Sequence, residues 1–284
     1  MRQVTDFHEI TPSTREARRE GKLVGFVPTM GALHDGHLSL IRRARTECDH
    51  VVVSIFVNPI QFEPGEDLDT YPRTLERDLE ICRDEGVDVV FTPNGRDMYP
   101  PGFKTFVEVE NLTRCLCGRT RPTHFRGVTT VCTKLFEIVR PDVAYLGQKD
   151  FQQAVIVRRV VIDLNIPVDI RLCDIVREDS GLAMSSRNAY MTDHQREVAS
   201  ALYEGLCRAR ELYDSGERRR EPLIEAAMTV YDRERELRVE YLELCDTDNL
   251  ECLQEVSRPA CLAVAAHVGK ARLIDNVILG DLPW

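Results

Sequence analysis

The feature that most restricts the fold is an alternation. Short apolar runs rich in β-branched residues recur along the chain, and each adjoins a segment of helical period. LVGFVP (23–28) precedes HLSLIRRARTECD, VVVSIFV (51–57) precedes TLERDLEICRDEG (74–86), and VDVVFTP (87–93) follows directly. Farther on, VTTVCTKLFEIV (128–139) has helical spacing, PDVAYLG (141–147) reads as a strand, KDFQQAVIVRRVVIDLN (149–165) as a helix and VDIRLCDIV (168–176) as a strand. Strands that are apolar throughout, rather than on every second residue, are buried on both faces, which is the condition of a parallel sheet covered by helices. The pattern predicts an α/β protein with a Rossmann-like, doubly wound parallel sheet over residues 1–176.

After MSSRNAYM (184–191) the texture changes. HQREVASALYEGLCRARELYDSG and EPLIEAAMTVYDRERELR have the spacing of charged, amphipathic helices, and VEYLELCD, CLAVAAHV and ARLIDNVIL read as three short strands. A second, smaller α+β domain over residues 177–284 is expected. The boundary falls near Val176 to Arg187 with no true linker, so the two domains are expected to share a cleft that the smaller one closes. The ERRRE run at 217–221 reads as a solvated loop.

The 284 residues carry a net charge of −10, which argues against tracking a nucleic-acid backbone, a task that needs clustered Lys and Arg to release counterions. An anionic small molecule held by a few local cations stays compatible with it. MRQVTDFHEI has no apolar core of signal-peptide length, and no run approaches the roughly 18 apolar residues of a membrane helix. A cytoplasmic protein is expected. The ten cysteines are scattered, and the close pair Cys115 and Cys117 matches no common zinc spacing, so they read as small buried hydrophobes.

Ligands of open α/β sheets sit beyond the carboxyl ends of the strands, where helix N-termini favour anions. PTMGALHDGH occupies that place after LVGFVP, yet it is neither a G-x-G-x-x-G fingerprint nor a P-loop. It offers two imidazoles three residues apart. His34 and His37 can share a face and meet phosphate oxygens whose charge changes during a reaction. Gly31 and Gly36 suit turn geometry and also the close approach of a ligand. The blander alternative makes His34 a loop residue and His37 a substitute helix cap. NPIQF (58–62) sets Asn58 and Gln61 beyond a second strand, either as neutral hydrogen-bonding groups for a ligand or as ordinary turn chemistry. In RPTHFRGV, Arg121, His124 and Arg126 form an anion site or a set of surface cations, and Arg121 joins the substrate-binding candidates. GQKDFQQ places Gly147 at a strand end with Lys149 and Asp150 at a helix mouth, where Lys149 can neutralise phosphate and Asp150 can cap the helix or hold a ribose or a metal. MSSR (184–187) supplies two hydroxyls and a guanidinium, a good polyphosphate clamp.

Together these strings resemble a known family. A histidine–x–glycine–histidine turn after the first strand and a Met-Ser loop after the last are similar to the nucleotidyltransferase superfamily. FVPTMGALHDGH, SIFVNPIQF, RPTHFRGVTTV, GQKDFQQ and MSSRN, in this order from Lys22 to Met191, resemble the pantoate–β-alanine ligases, the pantothenate synthetase family. The resemblance implies an ATP- and Mg2+-using ligase that joins pantoate to β-alanine through a pantoyl adenylate, with AMP and pyrophosphate released. It implies that Met30, Gly31, Ala32, Leu33, His34, Asp35, Gly36 and His37 line the ATP site, completed by Gly147, Gln148, Lys149, Asp150, Val176, Met184, Ser185, Ser186 and Arg187. Gln61 and Gln153 would hold pantoate, and Asn58 would lie near the carboxylate and β-alanine region. His37 is assigned a proton-donor or charge-stabilising role toward pyrophosphate, with His34 and Lys149 beside it. The magnesium ligands stay unassigned. The family also implies a homodimer, and neither a nucleic acid nor a membrane is an expected partner.

Overall fold

The computed structural model describes residues 1–282 and resolves into two compact units. One comprises Met1–Arg114, Gly118–Gly147 and Ile156–Cys173; the other comprises Cys115–Cys117, Gln148–Val155 and the chain from Asp174 onward.

The first unit is built on six parallel strands: β1 (Arg2–Val4), β2 (Val24–Thr29), β3 (His50–Ile55), β4 (Val89–Phe91), β5 (Val143–Gly147) and β6 (Asp169–Cys173). Their order across the sheet is β1-β4-β3-β2-β5-β6, so the chain winds outward from β2 in one direction and from β5 in the other. That reversal is the doubly wound arrangement expected from the apolar runs, and it places a topological switch point between β2 and β5. Pairing there spans Gly25↔Val143 and Phe26↔Ala144, so the strands part toward their carboxyl ends.

The connecting helices are α1 (Phe7–Arg19), α2 (Asp35–Glu47), α3 (Leu75–Asp84), the one-turn α4 (Gly95–Met98) and α5 (Cys117–Thr120), α6 (His124–Val139) and α7 (Phe151–Asp163). Leu40, Ile41 and Ala44 of α2 bury one stripe of that helix against Val27, Val51, Val53 and Tyr145, an i, i+1, i+4 spacing that matches a single helix face. On the other side of the sheet Phe26 meets Phe136 of α6 edge-on, with ring centroids 6.3 Å apart. β1 and α1 were not anticipated from sequence. Within β1 only Val4 is buried, and α1 carries Pro12 in its interior, both of which dilute the usual signals. Asp6 starts the helix by accepting the His8 backbone N–H at 2.7 Å.

The second unit contains an antiparallel sheet of β7 (Leu237–Asp246), β8 (Ala260–Val268) and β9 (Ala271–Leu279), in that order, with α8 (Asp193–Asp214) and α9 (Arg220–Tyr231) packed on it. The strands are nine or ten residues long, longer than the expected short ones. α8 opens with a capping box: Gln195 N–H donates to the Thr192 hydroxyl, and Thr192 N–H donates to the Gln195 side chain. The two helices approach closely at Gly205, where an added Cβ would lie 2.3 Å from the Tyr231 ring. The ERRRE run is only partly a solvated loop, because Arg220 begins α9 and its backbone N–H donates to the Gln254 carbonyl at 2.8 Å.

Candidate active site

The turn after β2 has a demanding backbone. Gly31 (φ +83°) and Ala32 (φ +50°) are consecutive residues in the left-handed region, where glycine is at ease and alanine is not. A Cβ on Gly31 would stand 3.0 Å from both Asp78 Oδ2 and Ile55 Cγ2. Asp78, on α3 and only 1% exposed, holds this conformation. Its Oδ2 accepts Ala32 N–H and its Oδ1 accepts Leu33 N–H, each at 2.9 Å, and Oδ1 also accepts the Thr74 hydroxyl at 3.2 Å. Thr29 completes the turn, accepting Gly31 N–H at 3.1 Å while donating to the Ser54 carbonyl. Leu33 drops into the core; Met30, Ala32, His34, Gly36 and His37 stay half-buried and Asp35 is exposed.

α2 begins at Asp35, and its N-cap is His34, so the cap substitute is His34 rather than His37. The His34 backbone N–H donates to His37 Nδ1 at 3.3 Å, and the two rings lie 4.1 Å apart between centroids. An acceptor role for Nδ1 puts the proton of neutral His37 on Nε2, which makes that nitrogen a donor at the helix mouth.

A second group of residues forms around the turn after β3. Asn58, 1% exposed, donates to Gln61 Oε1 at 2.9 Å and to the Gly127 carbonyl at 3.1 Å, and accepts the Tyr99 hydroxyl at 2.7 Å. Burial drives the Tyr99 hydroxyl far above its ordinary pKa, so it remains a donor. Gln61 Nε2 is left donating to Met30 Sδ at 3.1 Å, a weak acceptor. The Gln61 carbonyl accepts from Arg121 at 3.4 Å and from His124 Nδ1 at 2.8 Å. Arg121 grips Glu66 with two bonds of 2.5 and 2.7 Å. Burial raises the Glu66 pKa, but the bonds and charge of Arg121 outweigh it and hold the carboxyl below its usual range. The Arg126 guanidinium stacks on Phe106. Gly127 explains its place in RPTHFRGV, since a Cβ there would sit 2.4 Å from the Ile60 carbonyl oxygen and 2.6 Å from Gln61 Cα.

In the second unit, Gln148–Asp150 form a single 3-10 turn, and one strand residue holds it. Asn276 on β9, 2% exposed, donates to the carbonyls of Gln148 and Lys149 at 2.9 and 3.2 Å and accepts Gln148 Nε2 at 3.0 Å. Its neighbour Asp275 takes two bonds from Arg177, at 2.6 and 2.9 Å, and Arg177 stacks on Tyr203. Val176 and Met184 are joined by a 3.0 Å backbone bond across a narrow turn. The MSSR segment is not a loop: Ser185 caps a 3-10 helix, Ser186–Tyr190, by accepting Arg187 N–H at 3.3 Å. β9 thus gathers Gln148–Asp150 and the Val176–Arg187 segment through two adjacent side chains. In FQQ the buried glutamine is Gln152, whose amide is spent on the Cys117 N–H and the Cys115 carbonyl, whereas the pantoate candidate Gln153 is half-buried and its side chain bonds to no described residue. No carboxylate of the described residues pairs with Lys149, and Asp150 is exposed.

Sequence reasoning passed over Asp78, Asn276, Asp275 and Arg177. For Asp78 a signal existed: Leu75, Asp78, Leu79 and Cys82 share one helical face, so a carboxylate stands where an apolar residue is expected. The Asp-Asn pair inside ARLIDNVIL is a similar interruption. A cavity of about 250 Å³ lined by Thr11, Thr14, Arg15, Arg18, Arg19 and Arg140 shares no residue with these groups.

Comparison with known proteins assigns the chain to a family. The family model described as pantoate-beta-alanine ligase matches residues 2–278. The chain belongs to the pantoate–β-alanine ligase family. It is accordingly a ligase that forms a C–N bond. A pantothenate synthetase of Thermotoga neapolitana is 53% identical over 99% of this chain and 100% of its own, and one of Heliobacterium modesticaldum is 50% identical over 98% and 99%. The crystal structure of pantothenate synthetase from Thermus thermophilus superposes with a TM-score of 0.92 at 43% identity, covering 98% of this chain and 99% of that one. A ligase from Francisella tularensis, described as complexed with beta-gamma ATP and beta-alanine, gives 0.81 at 35% identity over the full length of both chains.

Proposed function

We propose that this enzyme condenses pantoate with β-alanine in two steps. The pantoate carboxylate attacks the α-phosphorus of ATP to give pantoyl adenylate and pyrophosphate. The β-alanine amine then attacks the acyl carbon, AMP leaves, and pantothenate is formed. The observation that carries the proposal is the 53% identity, across 99% of the chain, to a protein named pantothenate synthetase. The geometry is in keeping with it. Neither step needs a protein nucleophile, and the residues around both turns are donors and cations rather than an activated serine or cysteine.

In this proposal His37 Nε2–H, Lys149, the Ser185 and Ser186 hydroxyls and Arg187 stabilise negative charge as it moves from the α-phosphorus onto pyrophosphate. Gln61 exchanges its thioether contact for a pantoate oxygen, a better acceptor, and Gln153 supplies a second amide. Asn58 acts by orienting Gln61. Both its amide N–H groups are taken, by Gln61 and the Gly127 carbonyl, while its Oδ1, which accepts Tyr99, keeps a second lone pair for the β-alanine amine. Arg121 serves the same turn through Glu66 and the Gln61 carbonyl. The chemistry of the second step is largely positioning, because it joins two small molecules that meet poorly in water. Among the described residues no group of three or more His, Cys, Asp or Glu is arranged to hold a metal. Magnesium enters this proposal on the ATP phosphates, a setting in which it keeps several waters and needs one or two carboxylates at most, and Asp150 is the one offered. The enzyme is expected to work as a cytoplasmic homodimer, for which light scattering of the purified chain is the check on assembly.

The test is AMP formation with ATP, pantoate and β-alanine each omitted in turn, joined to exchange of labelled pyrophosphate into ATP. Pantoate-dependent exchange without β-alanine is the expected result. AMP release that ignores pantoate, or exchange that requires β-alanine, overturns the two-step reading.

A further inference from the structure

All ten cysteines are reduced, and three of them lie abreast in the second unit. Cys245, near the end of β7, faces Cys261 of β8 on one side and Cys252, on the return of the following turn, on the other. The two sides are not equivalent. The Leu253 N–H donates to the Leu244 carbonyl and the Asp246 N–H donates to the Glu251 carbonyl, both at 2.9 Å. These bonds flank Cys245 and Cys252, making them a non-hydrogen-bonded antiparallel pair. In such a pair the Cα atoms are about 4.5 Å apart and the side chains lie on one face at their closest, against about 5.5 Å for a hydrogen-bonded pair. A disulfide needs Cα atoms about 4.4–6.8 Å apart, and the spacing characteristic of a non-hydrogen-bonded pair falls at the short end of that range. Cys245 turns its own N–H and C=O toward β8, so it meets Cys261 across the wider pair.

Access separates the thiols as well. Cys252 is exposed, Cys245 is buried and Cys261 is fully buried, with burial driving its pKa well above the ordinary thiol value. A thiolate is the reactive form, so exchange begins at the exposed sulfur. The turn between the pair is already ordered. Asp246 Oδ1 accepts the N–H groups of Asp248 and Asn249 at 2.8 and 2.9 Å, and its other oxygen pairs with Arg258 at 2.5 Å.

We infer that Cys252 and Cys245 form a modification site that exchanges with small-molecule disulfides of the glutathione class. The Cys252 thiolate attacks one sulfur of the small disulfide and expels a thiolate, leaving a mixed disulfide on Cys252. Cys245 gives up its proton and attacks the Cys252 sulfur, the Cys245–Cys252 bond forms and the second small thiolate leaves. Two protein thiols are oxidised and one small disulfide is reduced to two thiols. Cys252 receives the co-substrate, Cys245 resolves it, and Cys261 takes no part.

The test treats the folded full-length protein with oxidised glutathione, followed by intact mass and peptide mapping under non-reducing conditions. The expected product has lost two hydrogens and links the Cys245 and Cys252 peptides. Cys252→Ser, at an exposed position, abolishes the link; Cys261→Ser leaves it; Cys245→Ser stops at a stable glutathione adduct on Cys252. A lasting adduct on Cys252 in the unsubstituted protein, a Cys245–Cys261 link, or an unreacted pair overturns the inference. Because the unsubstituted protein and Cys252→Ser decide the matter, an unstable Cys245→Ser variant does not weaken the test.

Discussion

Asp78→Asn is the sharpest probe of how the proposed nucleotide turn is held. The exchange preserves shape, so no cavity opens, but it replaces one oxygen by an NH2 group. In the native turn Ala32 N–H and Leu33 N–H each occupy a separate oxygen of Asp78 at 2.9 Å, in a setting only 1% exposed. Whichever way the new amide faces, one of these backbone donors confronts another donor. A buried donor left unsatisfied costs about 1–3 kcal/mol, and the surviving bond loses the strength that a charged acceptor confers. The total is about 2–4 kcal/mol, out of the roughly 5–15 kcal/mol by which domains are stable, so the variant folds and melts several degrees lower. The activity follows from the backbone. Ala32 in the left-handed region stores strain of about 1–3 kcal/mol that the two bonds support, and a loosened turn no longer presents His34 and His37 in one place. Since about 1.4 kcal/mol is a tenfold change in rate, kcat/KM for ATP should fall at least tenfold, with KM for pantoate less affected. Urea unfolding and steady-state kinetics with each substrate varied are the measurements. Wild-type stability together with wild-type kinetics refutes the argument outright. Lowered stability with an unchanged ATP KM says that Asp78 supports the core of the first unit but not the turn.

The other substitutions separate contact from support. His37→Ala should slow pantoate-dependent pyrophosphate exchange by about 100-fold or more, the scale for losing a donor aimed at developing charge, while circular dichroism stays unchanged because the bond that the ring gives the helix start is long, at 3.3 Å. Gly127→Ala forces a Cβ to within 2.4 Å of the Ile60 carbonyl, so the turn carrying Gln61 must shift; we expect about 1–3 kcal/mol of lost stability and a pantoate KM raised more than that for ATP. Glu66→Gln tests the pH dependence. The folded-state pKa of Glu66 lies below the unfolded value of about 4.3, so the pair with Arg121 adds stability above that pH and loses it as pH falls through the folded pKa. As pH falls from neutral through the unfolded and then the folded pKa, unfolding free energies should therefore converge for the native protein and Glu66→Gln; parallel curves contradict the assignment.

The fold was legible where one physical signal ran over several residues. The apolar strands β2 to β5 announce burial on both faces, and the α8 and α9 segments keep a helical stripe over three turns or more, so their existence and class follow from periodicity. β1 with a single buried residue and α1 with an internal proline offer no such run, and the strand order across the sheet is invisible to local pattern. The site divides along the same line. The His34 to His37 turn, NPIQF, GQKDFQQ and MSSR are compact strings, recognisable because their chemistry is contiguous. Sequence alone left open what Asn58 does, and its answer depends on Tyr99 and Gly127, 41 and 69 residues away. Arg121 likewise reads only as a cation for an anion, and its two bonds to Glu66 and its third to the Gln61 carbonyl involve residues 55 and 60 positions away.

The residues that sequence reasoning overlooked have one property in common that explains both the oversight and their importance. Asp78, Asn276 and Asp275 are buried polar side chains on the apolar stripe of α3 or within β9, and each makes hydrogen bonds to a segment remote in sequence. Asp78 on α3 fixes the turn after β2, while Asn276 on β9 fixes the turn after β5 and Asp275 fixes Arg177. A buried polar group without partners is costly, so such a residue persists only where the partner segment holds its shape, and the segment holds its shape because of that residue. Regular elements are stiffer than the turns they support, which makes them the natural place for these anchors. Two of the groups proposed to touch substrate keep capacity for a ligand: the Gln61 amide N–H rests on the weak Met30 thioether, and the half-buried Lys149 has no carboxylate partner among the described residues. An interruption of an apolar stripe by a buried Asp or Asn is therefore a searchable sign of a held turn elsewhere in the chain, and in this enzyme it points from α3 to the turn after β2 and from β9 to the turn after β5.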